Sequence, residues 1–183
     1  LGPHFVFVTW VLMGWYKQDG RRRFRKAYIE MGRKGSKTTY AGGLGAYFFL
    51  ADGEPGAQVF SAAVKKDQAK LVWTNIKNLT KNSGFAPKIT YFQHNLSIES
   101  TNSKCEPLSS DTKSLDGLDT HFASLDELHA HPTREVHDLI SDSIGARSQP
   151  MILIITTAGF NQTGICYETR EYLAQVLKKI IQD

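Results

Sequence analysis

The sequence predicts a three-layer α/β domain built on a mostly parallel sheet. Three observations carry this. Segments that read as strands alternate with segments that read as helices along most of the chain, the pattern of a parallel sheet with covering helices. The run Met151-Ile152-Leu153-Ile154-Ile155 is apolar at every position, as expected of a central strand buried on both faces. A glycine-containing basic turn, Met31-Gly32-Arg33-Lys34-Gly35-Ser36-Lys37-Thr38-Thr39, separates a strand-like segment from a helix-like one.

Composition sets the bounds. The chain has 183 residues, 41% of them apolar, which fits one domain with at most a small appendage and argues against disorder. A net charge of +4 and a sequence pI near 9.0 are compatible with nucleic acid or nucleotide phosphates without demanding either. Cys105 and Cys166 are too few for a disulfide scaffold and lack metal-site spacing, so a reducing cytosol is expected. Phe5 to Trp15 is apolar but short for a membrane span, and no signal-peptide pattern surrounds it. The chain begins at Leu1 rather than Met and stops at Asp183 inside a helical pattern, so a fragment or isolated domain of a longer protein is expected.

In order, Phe5 to Tyr16 reads as a helix and Lys17-Gln18-Asp19-Gly20 as a turn. Arg21-Arg22-Arg23-Phe24-Arg25-Lys26 is a basic run, read either as a solvated strand edge or as a DNA or phosphate contact. Ala27 to Met31 alternates as the first core strand, and Thr39 to Leu50 reads as a helix that the breaker cluster Asp52-Gly53-Glu54-Pro55-Gly56 ends. Ala57 to Ala63 is a second strand. Lys65 to Lys81 is an amphipathic helix with Ala69, Val72, Trp73, Ile76 and Leu79 inward. Lys88 to Ser100 alternates as a β-hairpin, Cys105 to Leu108 adds a short strand, and Ser109 to Asp119 is a polar loop. His121 to Glu127 is a buried strand ending in two acids. Arg134 to Ile144 is a helix with Val136, Leu139 and Ile140 inward, the apolar run from Met151 ends in Thr156-Thr157-Ala158-Gly159, and Glu168 to Ile181 is the last helix.

Three pieces carry chemistry. A glycine-containing basic turn between strand and helix can cradle phosphate, because glycines let successive N–H groups point at one anion. Lys37 then reaches the β- and γ-phosphates and the Thr38 hydroxyl can ligate Mg²⁺. The match to G-x-x-x-x-G-K-S/T is imperfect: Ser36 replaces the glycine before the lysine, Met31 takes the first glycine position, and Gly32 and Gly35 each fall one place off. The bland reading of this stretch is a basic surface turn. The second piece is Leu125-Asp126-Glu127, which delivers two carboxylates at a strand's C-terminal end, where α/β sheets bind ligands. Asp126 is the expected Mg²⁺ residue and Glu127 the expected base that deprotonates an attacking water; the bland reading is a helix N-terminus. The third is Thr156-Thr157, whose hydroxyls either sense the γ-phosphate or merely cap the chain's exit from the sheet.

Cradle, acidic strand end and polar strand end follow in the order of a P-loop NTPase of the additional-strand, catalytic-glutamate type. Arg21 to Glu30, the cradle with Arg33-Lys34, Leu50 to Ala57, His94-Asn95-Leu96-Ser97, Glu106 to Asp111, Leu115 to Leu118, Asp126-Glu127-Leu128-His129-Ala130-His131 and Ile155 to Phe160 together resemble the N-terminal ATPase domain of a tailed-bacteriophage terminase large subunit. The resemblance covers nearly the whole chain. It implies a three-layer P-loop fold with a β-hairpin excursion over residues 1–183, ATP and Mg²⁺ as ligands, and a motor that hydrolyses ATP to push double-stranded DNA into a procapsid. It also implies a portal protein and a small terminase subunit as partners, assembly as a homo-oligomeric ring, work in the host bacterial cytoplasm, and a metal-dependent nuclease domain outside this chain. By the motif match, Gly32, Arg33, Lys34, Gly35, Ser36, Lys37, Thr38 and Thr39 form the nucleotide cradle. Arg33 supplies a charge in cis, Thr38 and Asp126 hold the metal, Glu127 is catalytic, and Thr156 and Thr157 form the coupling motif.

Two departures stand out. Ser36 adds a side chain where the backbone must approach phosphate. His4-Phe5 stand where the family carries a Trp-Gln pair that reads adenine, leaving stacking on Phe5 or Trp15 as the substitute. Arg134 and Arg147 are candidates for an arginine supplied to a ring neighbour. The histidines at 121, 129, 131 and 137 lack a zinc pattern, no Gly-x-Ser-x-Gly elbow occurs, and no Asn-Lys-x-Asp guanine signal occurs. The rival readings are a helicase-like translocase ATPase and a degenerate nucleotide- or DNA-binding domain without turnover.

Overall fold

The computed structural model describes residues 2–109, 117–159 and 163–182. Residues 110–116 of the expected polar loop, including Asp111, Leu115 and Asp116 of the family resemblance, lie outside the described residues, as do Leu1, Phe160 and Asp183. The helices are α1 (Pro3–Gly14), α2 (Lys37–Leu50), α3 (Lys66–Lys81), α4 (Glu135–Asp142) and α5 (Ile165–Leu177). The strands are β1 (Lys26–Glu30), β2 (Gln58–Ala63), β3 (Thr90–Tyr91), β4 (Leu96–Ile98), β5 (Ser103–Ser109), β6 (Thr120–Asp126) and β7 (Met151–Thr156). They form one sheet in the order β1-β7-β6-β2-β5-β4-β3.

The pairings β1–β7, β7–β6, β6–β2 and β2–β5 are parallel; β3 and β4 form the expected hairpin, running antiparallel to each other and against β5. The apolar run from Met151 thus lies between the cradle strand and the acidic strand, the place of the additional strand. Side chains alternate across it. Met151, Leu153 and Ile155 join the core under α1, α2 and α3, while Ile152 and Ile154 join the core under α4 and the start of α5. β1, read from the sequence as a core strand, is the sheet's edge among the described residues. Ala27 and Ile29 still pack on the main core from one face.

The long α2 is glycine-rich because it must approach α3 closely. A Cβ on Gly42 would come within 2.6 Å of the Asn75 Cβ, and one on Gly45 within 2.6 Å of Ile76 Cδ1. On α3, Ala69, Val72, Trp73 and Ile76 are buried as the spacing predicts, but Leu79 is 46% exposed and Thr80 is buried in its place. A regular helix turns 100° per residue, so the last turn carries position 79 off the stripe. Trp73 also donates its indole N–H to the Cys105 carbonyl at 3.2 Å.

The basic run divides. Arg21 and Arg23 are exposed, whereas Arg22 is buried. Its guanidinium donates to both Asp52 oxygens, at 2.6 and 2.8 Å, and to the Gln149 carbonyl. His121 Nε2 meets the same carboxylate at 2.7 Å. Arg22 is therefore neither a solvated edge nor a phosphate ligand; it anchors the start of β1 to the end of α2 and to β6. Burial raises the Asp52 carboxyl, but its hydrogen bonds to His121 and Arg22 outweigh this and hold it below its ordinary value. Asp52→Asn strands buried donors without their charge partner and is expected to cost about 3 kcal/mol. The triple change Arg22→Met, Asp52→Leu, His121→Phe is expected to cost less, because it leaves no buried charge without its partner and orphans only the neutral Gln149 carbonyl. Urea denaturation of both variants checks the order.

Candidate nucleotide site

Three chain segments leave the carboxyl edge of the sheet side by side. After β1, Met31 donates its N–H to the Thr156 carbonyl at 3.1 Å, which fastens the base of the cradle to the end of β7. After β6, Glu127 donates its N–H to the Ile155 carbonyl at 2.9 Å. The cradle, the acidic pair and the threonine pair are thereby joined to the last two residues of one strand.

The cradle runs from Met31 to Ser36 and opens α2, whose first helical residues are Lys37 and Thr38, followed by Thr39. The N–H groups of this first turn have no partner within the helix and carry the positive end of its dipole, the arrangement that binds anions. Two non-glycine residues, Lys34 (φ 61) and Ser36 (φ 57), adopt left-handed backbone. The position before the lysine thus has the geometry that favours glycine, and Ser36 meets it with some strain. Gly35 is required for a different reason: a Cβ there would lie 2.4 Å from the Met31 sulfur. Lys37 is buried, and its amine donates to the Met31 and Gly32 carbonyls at 2.8 and 3.0 Å. In this state the lysine closes its own loop. Thr38 is half-buried, and Arg33, Lys34, Ser36 and Thr39 are exposed.

Asp126 ends β6 and is buried; Glu127 is the first residue beyond it, in left-handed backbone (φ 52, ψ 51). Burial pushes the Asp126 carboxyl up to about 6; the Glu127 charge adds to the rise, and the Glu127 amide and Lys37 oppose it. Cradle and acid lie on one side of the molecule, both fastened to the end of β7. His131 packs behind, its Nε2 3.4 Å from the Asp126 carbonyl, and burial lowers its pKa. Thr156 is buried, with its hydroxyl donating to the Thr157 carbonyl at 3.1 Å. Thr157 instead lines an open cavity of about 450 Å³ together with Glu30, Met31, Gly32, Arg33, His129 and Gly159.

Other expected site residues fall elsewhere. Phe5 is buried and stacked on Tyr40, with ring centroids 4.2 Å apart, so it cannot stack on a base. Trp15 lies beyond the far end of α1 against Phe24. Arg147 is a clamp, donating to Asp119 and to the Pro55 and Gly56 carbonyls. Arg134 is more exposed and pairs with Asp138 and Glu168. The histidines do not gather: among the described residues no group of three or more His, Cys, Asp or Glu could hold a metal. Mg²⁺ needs no such group, since one carboxylate, a hydroxyl and phosphate oxygens suffice, and Asp126 and Thr38 offer the hard oxygen donors it prefers. The sequence marks His129 only as a member of the histidine cluster and of an Asp-Glu-x-His pattern shared with helicase-like ATPases, without a role at the site; it touches Glu127 and both threonines. The Asp-Glu-x-His spacing was the available signal.

Comparison with known proteins bears on the family and the fold. The family model for the terminase large subunit, ATPase domain, matches residues 3–175. A stretch of 62 residues is 40% identical to Protein YmfN of Escherichia coli (strain K12), covering 34% of this chain and 14% of that protein. The crystal structure of the HK97 bacteriophage large terminase superposes over 98% of this chain and 37% of its own, with TM-score 0.78 and 22% identity. The ATPase domain of the Thermus phage P74-26 large terminase superposes over 83% of this chain and 69% of its own, with TM-score 0.61 and 19% identity. At these identities the structural likeness is one of fold, and this chain spans little more than a third of the HK97 protein's length. No described helix is long and apolar enough to cross a membrane. The match over residues 3–175 decides the matter: the chain belongs to the terminase large subunit ATPase domain family and is a nucleotide-binding ATPase domain.

Proposed function

We propose that the chain is the motor domain of a viral DNA-packaging terminase, hydrolysing ATP to drive double-stranded DNA into a procapsid. The observation that carries this is the convergence of the Lys37 cradle, the Asp126–Glu127 pair and the Thr156–Thr157 strand end at one edge of the sheet. In this reading Lys37 exchanges the Met31 and Gly32 carbonyls for the β- and γ-phosphates, while the cradle and first-turn amides from Gly32 to Thr39 wrap the triphosphate. Thr38 and Asp126 hold Mg²⁺, which supplies charge compensation on the phosphates. Glu127 orients and deprotonates the attacking water, and Arg33, exposed at the cavity rim, adds positive charge on the γ-phosphate. Thr156 and Thr157 pass the change to the sheet. The reading extends to a portal protein and a small terminase subunit as partners, to a ring of copies in the host cytoplasm, and to nuclease activity in a separate domain.

Lys37→Ala is expected to abolish Mg²⁺-dependent phosphate release. Glu127→Gln is expected to keep nucleotide affinity within about threefold while lowering kcat at least about 100-fold. Phosphate-release kinetics beside fluorescent-nucleotide titration check both. Equally low turnover in wild type and Glu127→Gln, with nucleotide bound, favours the degenerate-domain reading instead.

The pH dependence of stability follows from Asp126. Its folded-state value, about 6, lies above the ordinary 3.8, so the nucleotide-free fold binds this proton more tightly than the unfolded chain. Its contribution to stability is therefore greatest below the ordinary value and declines as pH rises through about 6, where a desolvated carboxylate must ionise. Asp126→Asn is expected to raise the nucleotide-free Tm by about 4 °C at neutral pH, with the gain gone below about pH 4. Thermal unfolding across pH checks it.

A further inference from the structure

His129 stands where the acidic pair meets the threonine pair. It lies on the 3-10 turn Leu128–Ala130, two residues after Glu127. Gly159 presses on it from the other side, since a Cβ on Gly159 would come within 2.7 Å of the His129 Cβ. The ring borders the same cavity as Gly32 and Arg33. Its Nδ1 is 3.0 Å from Glu127 Oε2, 3.1 Å from Thr156 Oγ1 and 3.3 Å from Thr157 Oγ1.

The neighbours fix where the ring hydrogen is. An ionised Glu127 carboxylate can only accept. The Thr156 hydroxyl spends its hydrogen on the Thr157 carbonyl, and it also accepts the His129 backbone N–H at 3.3 Å. The Thr157 hydroxyl directs its hydrogen at Glu127 Oε2, 3.5 Å away. Every group around Nδ1 offers a lone pair, so Nδ1 carries the hydrogen; that N–H is directed at the threonine hydroxyls, with Glu127 Oε2 beside it at 3.0 Å.

We propose that His129 is the positioning residue that links Glu127 to the Thr156–Thr157 strand end. In the nucleotide-free state its Nδ1–H is directed at the threonine hydroxyls, while Glu127 Oε2 lies beside it at 3.0 Å, near enough for the N–H dipole to draw the carboxylate to the ring; the threonine bonds hold the ring in place when Glu127 turns to the attacking water. No proton is transferred, and the donor stays bonded to the threonine pair throughout. The backbone of Glu127 is fixed by its bond to Ile155, so the movement is confined to side chains. This rests on the role proposed above for Glu127.

Two measurements test it. Long-range ¹H–¹⁵N correlation spectra of the nucleotide-free chain, taken on the neutral ring, are expected to report the Nδ1–H tautomer for His129, with its signals displaced by a non-hydrolysable ATP analogue. The Nε2–H tautomer overturns the proposal whether or not the chain turns over ATP. In kinetics, His129→Phe keeps the ring without the donor and is expected to lower kcat about 10- to 100-fold with KM for ATP changed less than about threefold. His129→Asn, which restores an N–H near the Nδ1 position, is expected to recover most of that loss. Wild-type rates in both variants, or equal loss in both, overturn the coupling while leaving the ATPase reading intact. A wild-type chain without turnover instead removes the role of Glu127 and this coupling with it.

Discussion

Two backbone hydrogen bonds at the end of β7, from Met31 to Thr156 and from Glu127 to Ile155, hold the site together. Parallel strands end on the same edge, so pairing β7 between β1 and β6 delivers the cradle, the acids and the threonines to one place. The apolar character of β7 is what permits this. A strand with Ile or Leu at nearly every position can be covered on both faces, so β7 can lie inside the sheet between β1 and β6. The chemistry at the edge therefore depends on burial in the centre.

The site is built under tension that fits a ligand-binding role. Lys34, Ser36 and Glu127 adopt left-handed backbone without being glycine, a cost of about 1–2 kcal/mol each. Asp126 is a carboxylate held out of water beside the Glu127 charge, with the Glu127 amide and the Lys37 amine too weak to offset this. Lys37 itself is satisfied by two carbonyls of its own loop. A triphosphate with a divalent cation relieves the last two conditions together, because it offers the lysine stronger acceptors and the aspartate a positive partner.

What the sequence disclosed was what is local. The cradle could be read because glycine, basic residues, strand and helix all fall within a few positions of one another, and the acidic pair because it ends an apolar strand. The hairpin and the buried run from Met151 were legible from alternation and its absence. Three features were not. Arg22 looked like surface charge because its partners Asp52 and His121 lie 30 and 99 positions further on, and nothing near Arg22 announces them. Phe5 looked available to adenine because helical spacing does not say which face of a short apolar helix is covered; the Tyr40 ring covers this one. His129 was read only as one of a cluster of four histidines without a zinc pattern, since its meeting with Thr156 depends on strand pairing that the chain order does not display.

The most direct test of the account is a crystal structure of the chain with Mg²⁺ and a non-hydrolysable ATP analogue. The Lys37 amine is expected to have left the Met31 and Gly32 carbonyls for the β- and γ-phosphates, with Thr38 and Asp126 facing the cation. A nucleotide bound at the opposite end of α2, in the cavity beside Phe48, Pro55 and Phe85, with Lys37 still closing its loop, would contradict it.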